Sequence, residues 1–501
     1  MVPGLMEGIA SVLHFKVIIA IATGVGIGII LGAIPGLTAT MGIAIVIPFT
    51  FYMDPVLSIG MLIGAYKGGM YGGSISAILI GTPGHDSAVA TIMDGFAMTK
   101  KGMAGKALKM ALYASLFGDM TSTLALIFLA PMLALVTIKI GPGDFFALII
   151  FSLTIIASMS GESVVKGLIS AAFGMLVATI GLDPVFGVRR LTFGFTPLDS
   201  GIELMPMLIG LFALPEVIEQ LENPLSRMTA SVVAPKHRDD SRVTWEDFKR
   251  SIKSLLIGSG IGIAIGAIPG IGSSVSCWLA YTTSRNQSKN PEKWGTGIVE
   301  GVAAPEAGNN AVVGGALIPM LTLGVPGSVP VAILMSAFLI QGLMPGPMIF
   351  KEAPVVVYGI FTSLFMSNIL LLVLGLLIIK YMALYFTRVP KVILFPTIIS
   401  FCYIGAYALY QNMLDIKIAL VFGILGYLMR KYKFGAAPFM IAMILEPFCE
   451  RSLRQYMLMT RGDFLSIFTH PIADIFFVLT IVTVFVAIRQ RLRGTAMTQT
   501  I

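Results

Sequence analysis

The sequence predicts an all-α polytopic membrane protein built of two inverted-topology repeats with broken or re-entrant helices, with about a dozen crossings. Three observations predict it. First, 56% of the 501 residues are apolar and only 12% charged, with a mean hydropathy of +0.89, whereas soluble domains carry roughly 25% charged residues. Second, residues 24–36 read GVGIGIILGAIPG and residues 258–270 read GSGIGIAIGAIPG, so 10 of 13 positions are identical and six of those ten are Gly or Pro. Third, loops at equivalent places in the two copies carry opposite charge bias.

The apolar blocks come first. Residues 17–34, 107–137, 165–181, 251–268, 355–379, 419–429 with their flanks, and 475–488 are the clear ones; a ~30 Å hydrocarbon core takes about 20 helical residues. Alternating ten-residue strand patterns are absent, which argues against a β-barrel. The N-terminal MVPGLMEGIASVLHFK has no basic run before its apolar stretch, so the first helix is expected to stay rather than be cleaved. Residues 1–221 form the expected first transmembrane repeat, 222–250 a cytoplasmic linker, and 251–501 a second repeat with extra C-terminal helices.

Charge sets the orientation. The only long polar stretch, residues 222–253, holds seven Lys/Arg. Basic loops mark the cytoplasmic side, so this stretch and RQRLRG near the C-terminus belong there, and the net charge of +8 calls for no nucleic acid. After the first GAIPG, residues 51–59 have no basic residue, whereas residues 285–293 after the second have three. Residues 100–109 carry four lysines, whereas residues 343–352 have only Lys351. An inverted repeat would place such homologous loops on opposite faces, with the N-terminus outside.

Each copy holds two Gly-Pro breaks, since GAIPG is followed by GTPG at residues 81–84 and by GVPG at residues 324–327. Lipid cannot satisfy freed backbone groups, so such breaks belong inside protein or against a polar cavity. Small hydroxyl residues follow them: Thr38 and Thr40 after Gly36, and Ser273 and Ser274 after Gly270 and Gly272. Helix starts present free N–H groups and the positive dipole end to an anion. Candidate substrate-binding residues are therefore Gly36, Thr38, Thr40, Gly72, Gly73, Ser74, Thr82, Gly84, Gly270, Gly272, Ser273, Ser274, Gly327 and Ser328. Carboxylates suit such a site. The competing reading is that the glycines serve close helix packing.

Between the breaks lie Lys67 in AYKGGMYGGS and Glu306, Asn309 and Asn310 in PEAGNN. Intramembrane polar residues are functional candidates by default, here for ion coupling. Asn309 and Asn310 offer hard oxygens to Na⁺ as the coupling ion, with H⁺ as the alternative. Glu306 after Pro305 could equally cap a helix. His85 and Asp86 are expected in a solvated loop. Cys277, Cys402 and Cys449 have no metal spacing, and no other cofactor is expected.

Several long segments carry a resemblance: YGGSISAILIGTPG, VATIMDGFAMTKKGMAGKAL, GLDPVFGVRRLTFG, GVAAPEAGNNAVVGGALIPMLTLGVPGS, GLMPGPMIF, RVPKVILFPTIISFCYIGAY and DIKIALVFGILGYLMRKY. Together with GAIPG they resemble the large membrane subunit of the tripartite tricarboxylate transporters, the TctA-type family, along nearly the whole chain. The resemblance implies a bacterial inner-membrane, cation-gradient-driven symporter of a citrate-like tri- or dicarboxylate. It also implies two partners, a small membrane subunit and a periplasmic solute-binding protein, and it is compatible with a homo-oligomer. Matching positions are the Gly-Pro breaks, Gly72, Gly73, Thr82, Asp94, Glu306, Asn309, Asn310 and Ser328. Gly81 stands where Asn is common, His85 where Glu is, and Glu446 where Gly is, which leaves substrate and ion identity open.

Two other readings compete. A stand-alone ion-coupled carboxylate carrier would need no periplasmic receptor. An intramembrane aspartyl protease is suggested by GPGD at residues 141–144, but it needs a second acid, and no Tyr-Asp pair occurs. The four histidines include no HExxH, so metalloprotease chemistry is excluded.

Overall fold

The computed structural model describes residues 4–34, 36–159, 163–222, 238–381 and 391–498; Pro35 of the first break and residues 223–237 of the expected linker lie outside the described residues. The first half runs through helices α1 (Leu5–Val12), α2 (Phe15–Ala33), α3 (Ala39–Thr50), α4 (Pro55–Ile80), α5 (Val89–Lys100) and α6 (Ala104–Thr137). It continues through α7 (Pro142–Met159), α8 (Val164–Ala178), strands β1 (Gly181–Leu182) and β2 (Arg189–Arg190), α9 (Leu204–Leu208) and α10 (Leu214–Glu222). The second half contains α11 (Trp245–Gly266), α12 (Gly272–Asn286), α13 (Val299–Leu323), α14 (Val329–Ile340), α15 (Ile349–Glu352) and α16 (Pro354–Tyr381). It ends with α17 (Lys391–Tyr410), α18 (Met413–Lys431), α19 (Ala436–Met459) and α20 (Pro471–Thr498).

The protein is helical, as expected. Among the described residues three helices are long and apolar enough to cross a membrane: Phe15–Ala33, Ala104–Thr137 and Pro354–Ile379. Shorter apolar helices, α3 and α14 among them, accompany these. The small departure is the antiparallel ribbon that pairs Gly181 with Arg190, closed by an Asx turn in which Asp183 accepts from the N–H groups of Val185 and Phe186.

The chain makes two compact units, and they do not follow the two halves of the sequence. One combines Met1–Ala134 with Phe212–Gln411, the other Leu135–Leu211 with Asn412–Ile501. The larger unit thus takes the duplicated segments of both halves.

In that larger unit the duplication reads directly as structure. A Cβ at Gly24, Gly28 or Gly32 of α2 would lie 2.0, 2.3 or 2.4 Å from the carbonyl oxygen of Met61, Ala65 or Gly69 on α4. In the second half Gly258, Gly262 and Gly266 of α11 meet Ala304, Gly308 and Val312 of α13 at 2.4, 2.5 and 2.9 Å. No side chain fits in those gaps, so the helix pairs pack backbone to backbone, in parallel, through a glycine every fourth residue. The packing role weighed against a binding role therefore accounts for this stripe.

The breaks match as well. α4 and α13 both end on a left-handed glycine, Gly81 and Gly324, each with φ 68°. The chain then folds back so that Gly84 donates to the Gly73 carbonyl (3.2 Å) and Gly327 to the Ala316 carbonyl (3.3 Å). The two equivalent long helices run in opposite directions: Ser74 of α4 meets Glu306 near the start of α13, whereas Tyr66 meets Ser328 beyond its end. Each also borrows a neighbour from the other half. Gly118 of α6 lies against Ala307 and Ser122 against Gly314, while Lys67 of α4 binds Asn368 of α16.

Three basic stretches gather at one end of this unit. Lys106 pairs with Asp247 at 3.0 Å and Lys109 donates to the Ser241 carbonyl at 2.7 Å, so the lysine-rich start of α6 meets the end of the linker. Lys253 donates to Gln287 at 2.8 Å, which adds the basic turn after α12. A capping box between Thr244 and Asp247 starts α11 there.

The smaller unit packs α8 against α19, where Gly174 lets the helix approach the Phe439 carbonyl. Its ribbon is tied down by Arg190 and Arg454, both bound to Glu450, and by Arg454 on Asp183. The Arg454 guanidinium, helped by the two turn N–H groups, holds the Asp183 carboxyl well below the usual carboxylate range.

Candidate functional site

The polar residues of the larger unit converge on Glu306. It sits in the interior of α13, fully buried, so it does not cap a helix after Pro305 as one reading of the sequence had it. Its Oε1 accepts from Ser74 of α4 at 2.6 Å and from Thr91 of α5 at 2.5 Å, and its Oε2 from Ser115 of α6 at 3.2 Å. One turn on, Asn310 donates to Ser115 at 2.9 Å and to the Glu306 carbonyl at 3.0 Å. Three hydroxyls of the first half thus share one buried acid of the second, with Asn310 bound to one of them. Each hydroxyl donates into the carboxylate, the arrangement that makes a buried acid tolerable.

A second charged group lies alongside. Lys67, also fully buried, donates to Asn368 Oδ1 at 2.7 Å and to the Leu364 carbonyl at 3.0 Å, with Asp119 Oδ1 at 3.8 Å. Helical periodicity sets the alignment: Lys67, Tyr71 and Ser74 share one face of α4, Ser115 and Asp119 one face of α6, and Glu306 and Asn310 one face of α13. Sequence reasoning found Lys67, Ser74, Glu306 and Asn310, and it missed Thr91, Ser115, Asp119 and Asn368. For Asp119 a signal existed, because an acid in the middle of a 34-residue apolar helix is costly.

The remaining candidates are distributed as follows. Gly36, Gly270 and Gly272 have positive φ, and Gly270 donates to the Gly327 carbonyl at 3.0 Å, which brings together the two breaks of the second half. Thr38 caps α3 by accepting from Met41, Thr40 lies in its first turn, and Ser273 and Ser274 open α12 half-buried. Gly72, Gly84 and Gly327 press on backbone carbonyls of Ile29, Gly32 and Gly266, while Gly73 faces the His85 ring. Thr82 is half-buried in the first break. Ser328 lies 3.4 Å from the Tyr66 hydroxyl. Asp94 accepts from Tyr281 and from the N–H groups of Gly295, Gly297 and Ile298, holding the turn before α13. The amide of Asn309 and the Oδ1 of Asn310 are buried without a hydrogen-bond partner.

His85 departs from expectation. It is buried rather than solvated, with Nε2 3.0 Å from the Met70 carbonyl and Nδ1 2.6 Å from Ser87 Oγ; Nε2 therefore carries the proton and Nδ1 accepts from the serine. Asp86 beside it is exposed, as expected. Among the described residues no group of three His, Cys, Asp or Glu side chains could hold a metal ion.

With this geometry in hand, comparison with known proteins is decisive. The family model described as "Tripartite tricarboxylate transporter TctA family" matches residues 18–441. The chain belongs to that family. TctA-type chains are transporter subunits rather than enzymes, and the arrangement at GPGD agrees: Asp144 accepts from the N–H groups of Gly141 and Ala473, a backbone-holding role in the smaller unit. An uncharacterized 52.8 kDa protein in the TAR-I ttuC' 3' region of Agrobacterium vitis is 36% identical over 471 residues, 94% of this chain and 93% of that protein. A second protein of that organism, in the TAR-II ttuC' 3' region, is 37% identical over 233 residues, 46% of this chain and 96% of its own length. No solved structure matches the chain.

Proposed function

We propose that this TctA-type chain is the transport-performing subunit of a bacterial inner-membrane system that imports a tri- or dicarboxylate, delivered by a periplasmic binding protein and driven by a cation gradient. The observation that carries this reading is the buried network around Glu306, to which both duplicated halves contribute. Alternating access needs two halves meeting at a polar centre, and inverted repeats supply it. The opposite directions of α4 and α13 support the inverted arrangement, as does the gathering of the basic stretches at one end. That end is then cytoplasmic, and about a dozen crossings remain our expectation for the whole chain. The carboxylate would meet helix starts and hydroxyls at the breaks, with Na⁺ as the coupling ion near Asn309 and Asn310.

A small membrane subunit completes the system. The test is uptake of labelled carboxylates by cells with and without the periplasmic receptor. Uptake that vanishes without the receptor fits the tripartite reading; uptake that persists in the chain alone identifies a stand-alone carrier.

A further inference from the structure

We infer that Asp119 is a cation site, for a proton or a sodium ion, and that Lys67 is the tethered counter-charge occupying its field when the cation is absent. The inference rests on the transporter reading and adds to it a site distinct from Asn309 and Asn310. Three observations carry it. Both Asp119 oxygens are fully buried and neither accepts a hydrogen bond from any described residue. The Lys67 ammonium, the charge nearest to them, spends its short hydrogen bonds on α16, at 2.7 Å to Asn368 and 3.0 Å to Leu364, and stays 3.8 Å from Asp119. One turn along the same face of α6, the Thr123 hydroxyl is also buried without a partner.

A buried pair built for stability places donors on its carboxylate, because an anion without them bears most of its desolvation cost. Here the acid has a counter-charge but no donor. Two carboxylate oxygens and a nearby hydroxyl are hard ligands suited to Na⁺, and the carboxylate alone suits a proton. Among the described residues, the charged and titratable groups facing Asp119 are on α4, Lys67 and Tyr66, which feels Asp119 electrostatically; α16 presents the neutral Asn368, and the acid of α13, Glu306, binds Ser115 one turn away on α6.

The position gives such a site a consequence. A cation on Asp119 removes the counter-charge of Lys67, which becomes a buried cation in need of an anion; a carboxylate substrate provides one. Cation and carboxylate then favour each other's binding, as reciprocal linkage requires. Ser115, one turn before Asp119, binds Glu306, and Ser74, two turns after Lys67, does the same, so the switch adjoins the central acid.

The experiment uses the full-length protein in lipid nanodiscs with cations alone and no carboxylate, so it can fail while uptake succeeds, and the reverse. Thermal stabilisation is titrated with Na⁺ at fixed alkaline pH, and proton uptake is measured without Na⁺. Lys67→Met should lower the cation concentration for half-maximal stabilisation by about tenfold or more, because the tethered competitor is gone. The double variant Lys67→Met with Asp119→Asn removes the charges together and should abolish that sharpened response. A Lys67→Met protein that folds only when a cation is present also supports the site. An unchanged midpoint in Lys67→Met, or a wild-type cation response in the double variant, overturns it; should Lys67→Met not fold at all, the double variant decides alone.

Discussion

Replacing Glu306 by alanine separates what the acid does for the fold from what it does for transport. The substitution strands the hydroxyls of Ser74, Thr91 and Ser115, which now donate to its carboxylate. An unsatisfied buried donor costs about 1–3 kcal/mol. Ser and Thr in helices can turn back to their own i−4 carbonyls, so the low end, about 1 kcal/mol each, applies. Loss of the buried side chain beyond Cβ leaves a cavity worth roughly 2 kcal/mol. The total is about 5 kcal/mol, which for a unit of this size lowers the unfolding temperature by on the order of 10 °C. Glu306→Gln is different: its Oε1 can still accept from Ser74 and Thr91, its amide can donate to Ser115, and the cost stays under about 1 kcal/mol. Thermal unfolding of both purified variants, read by intrinsic fluorescence, checks the arithmetic. Equal stability of the alanine variant and the wild type, or equal losses in both variants, would refute the reasoning that these three hydrogen bonds hold the centre together.

Three further outcomes are expected. Gly28→Ala would put a methyl 2.3 Å from the Ala65 carbonyl and should cost about 1–3 kcal/mol or more, whereas Gly26→Ala meets nothing within 4 Å and should be neutral or stabilising, a difference that thermal unfolding reads directly. Single cysteines at Lys101 and Lys289 in a cysteine-free variant should both resist an impermeant external thiol reagent in intact cells, and labelling of either would contradict the inverted arrangement. Asn309→Ala or Asn310→Ala should raise the Na⁺ concentration for half-maximal uptake; equal uptake with choline in place of Na⁺ would instead make H⁺ the coupling ion, with Glu306→Gln flattening the pH dependence.

The helical character, the duplication and the breaks were legible in the sequence because they depend on local chemistry. Apolar runs of helix length and paired Gly-Pro motifs need no knowledge of tertiary contacts. The glycine stripe was visible too, but not its purpose, since only the fit of α2 on α4, where an added Cβ would lie 2.0–2.4 Å from a carbonyl oxygen, tells a packing glycine from a ligand-facing one. The burial of His85 depends on Gly73 of α4 leaving room for the ring, a contact between residues 12 apart that no local pattern encodes. Asp119, Thr91, Ser115 and Asn368 acquire meaning only through partners on other helices, and nothing in their neighbouring residues announces those partners. The separation into two units was hidden for a related reason: it joins segments far apart in sequence, and the duplication alone suggested a division in the middle.

The two duplicated halves are no longer chemically equal at the centre, and the differences fall on the residues that matter. The spacing that relates Gly81 to Gly324 also relates Tyr66 to Asn309 and Lys67 to Asn310, while the repeated SLF at residues 115–117 and 363–365 relates Ser115 to Ser363 and Asp119 to Ser367. An exact repeat would place like charges at both positions, where buried like charges repel. Instead the first half supplies Lys67 and Asp119, and the second supplies Glu306 and amides. Backbone geometry was retained in the breaks and the glycine stripes of both halves, as the alternating access proposed above would require. Side-chain chemistry diverged. On the transport reading proposed above, that division accounts for breaks that repeat almost residue for residue while Glu306 has an apolar counterpart, Ile63, in the first half: shape would have to be symmetric for the halves to exchange roles, whereas coupling would need a cation and an anion in different places.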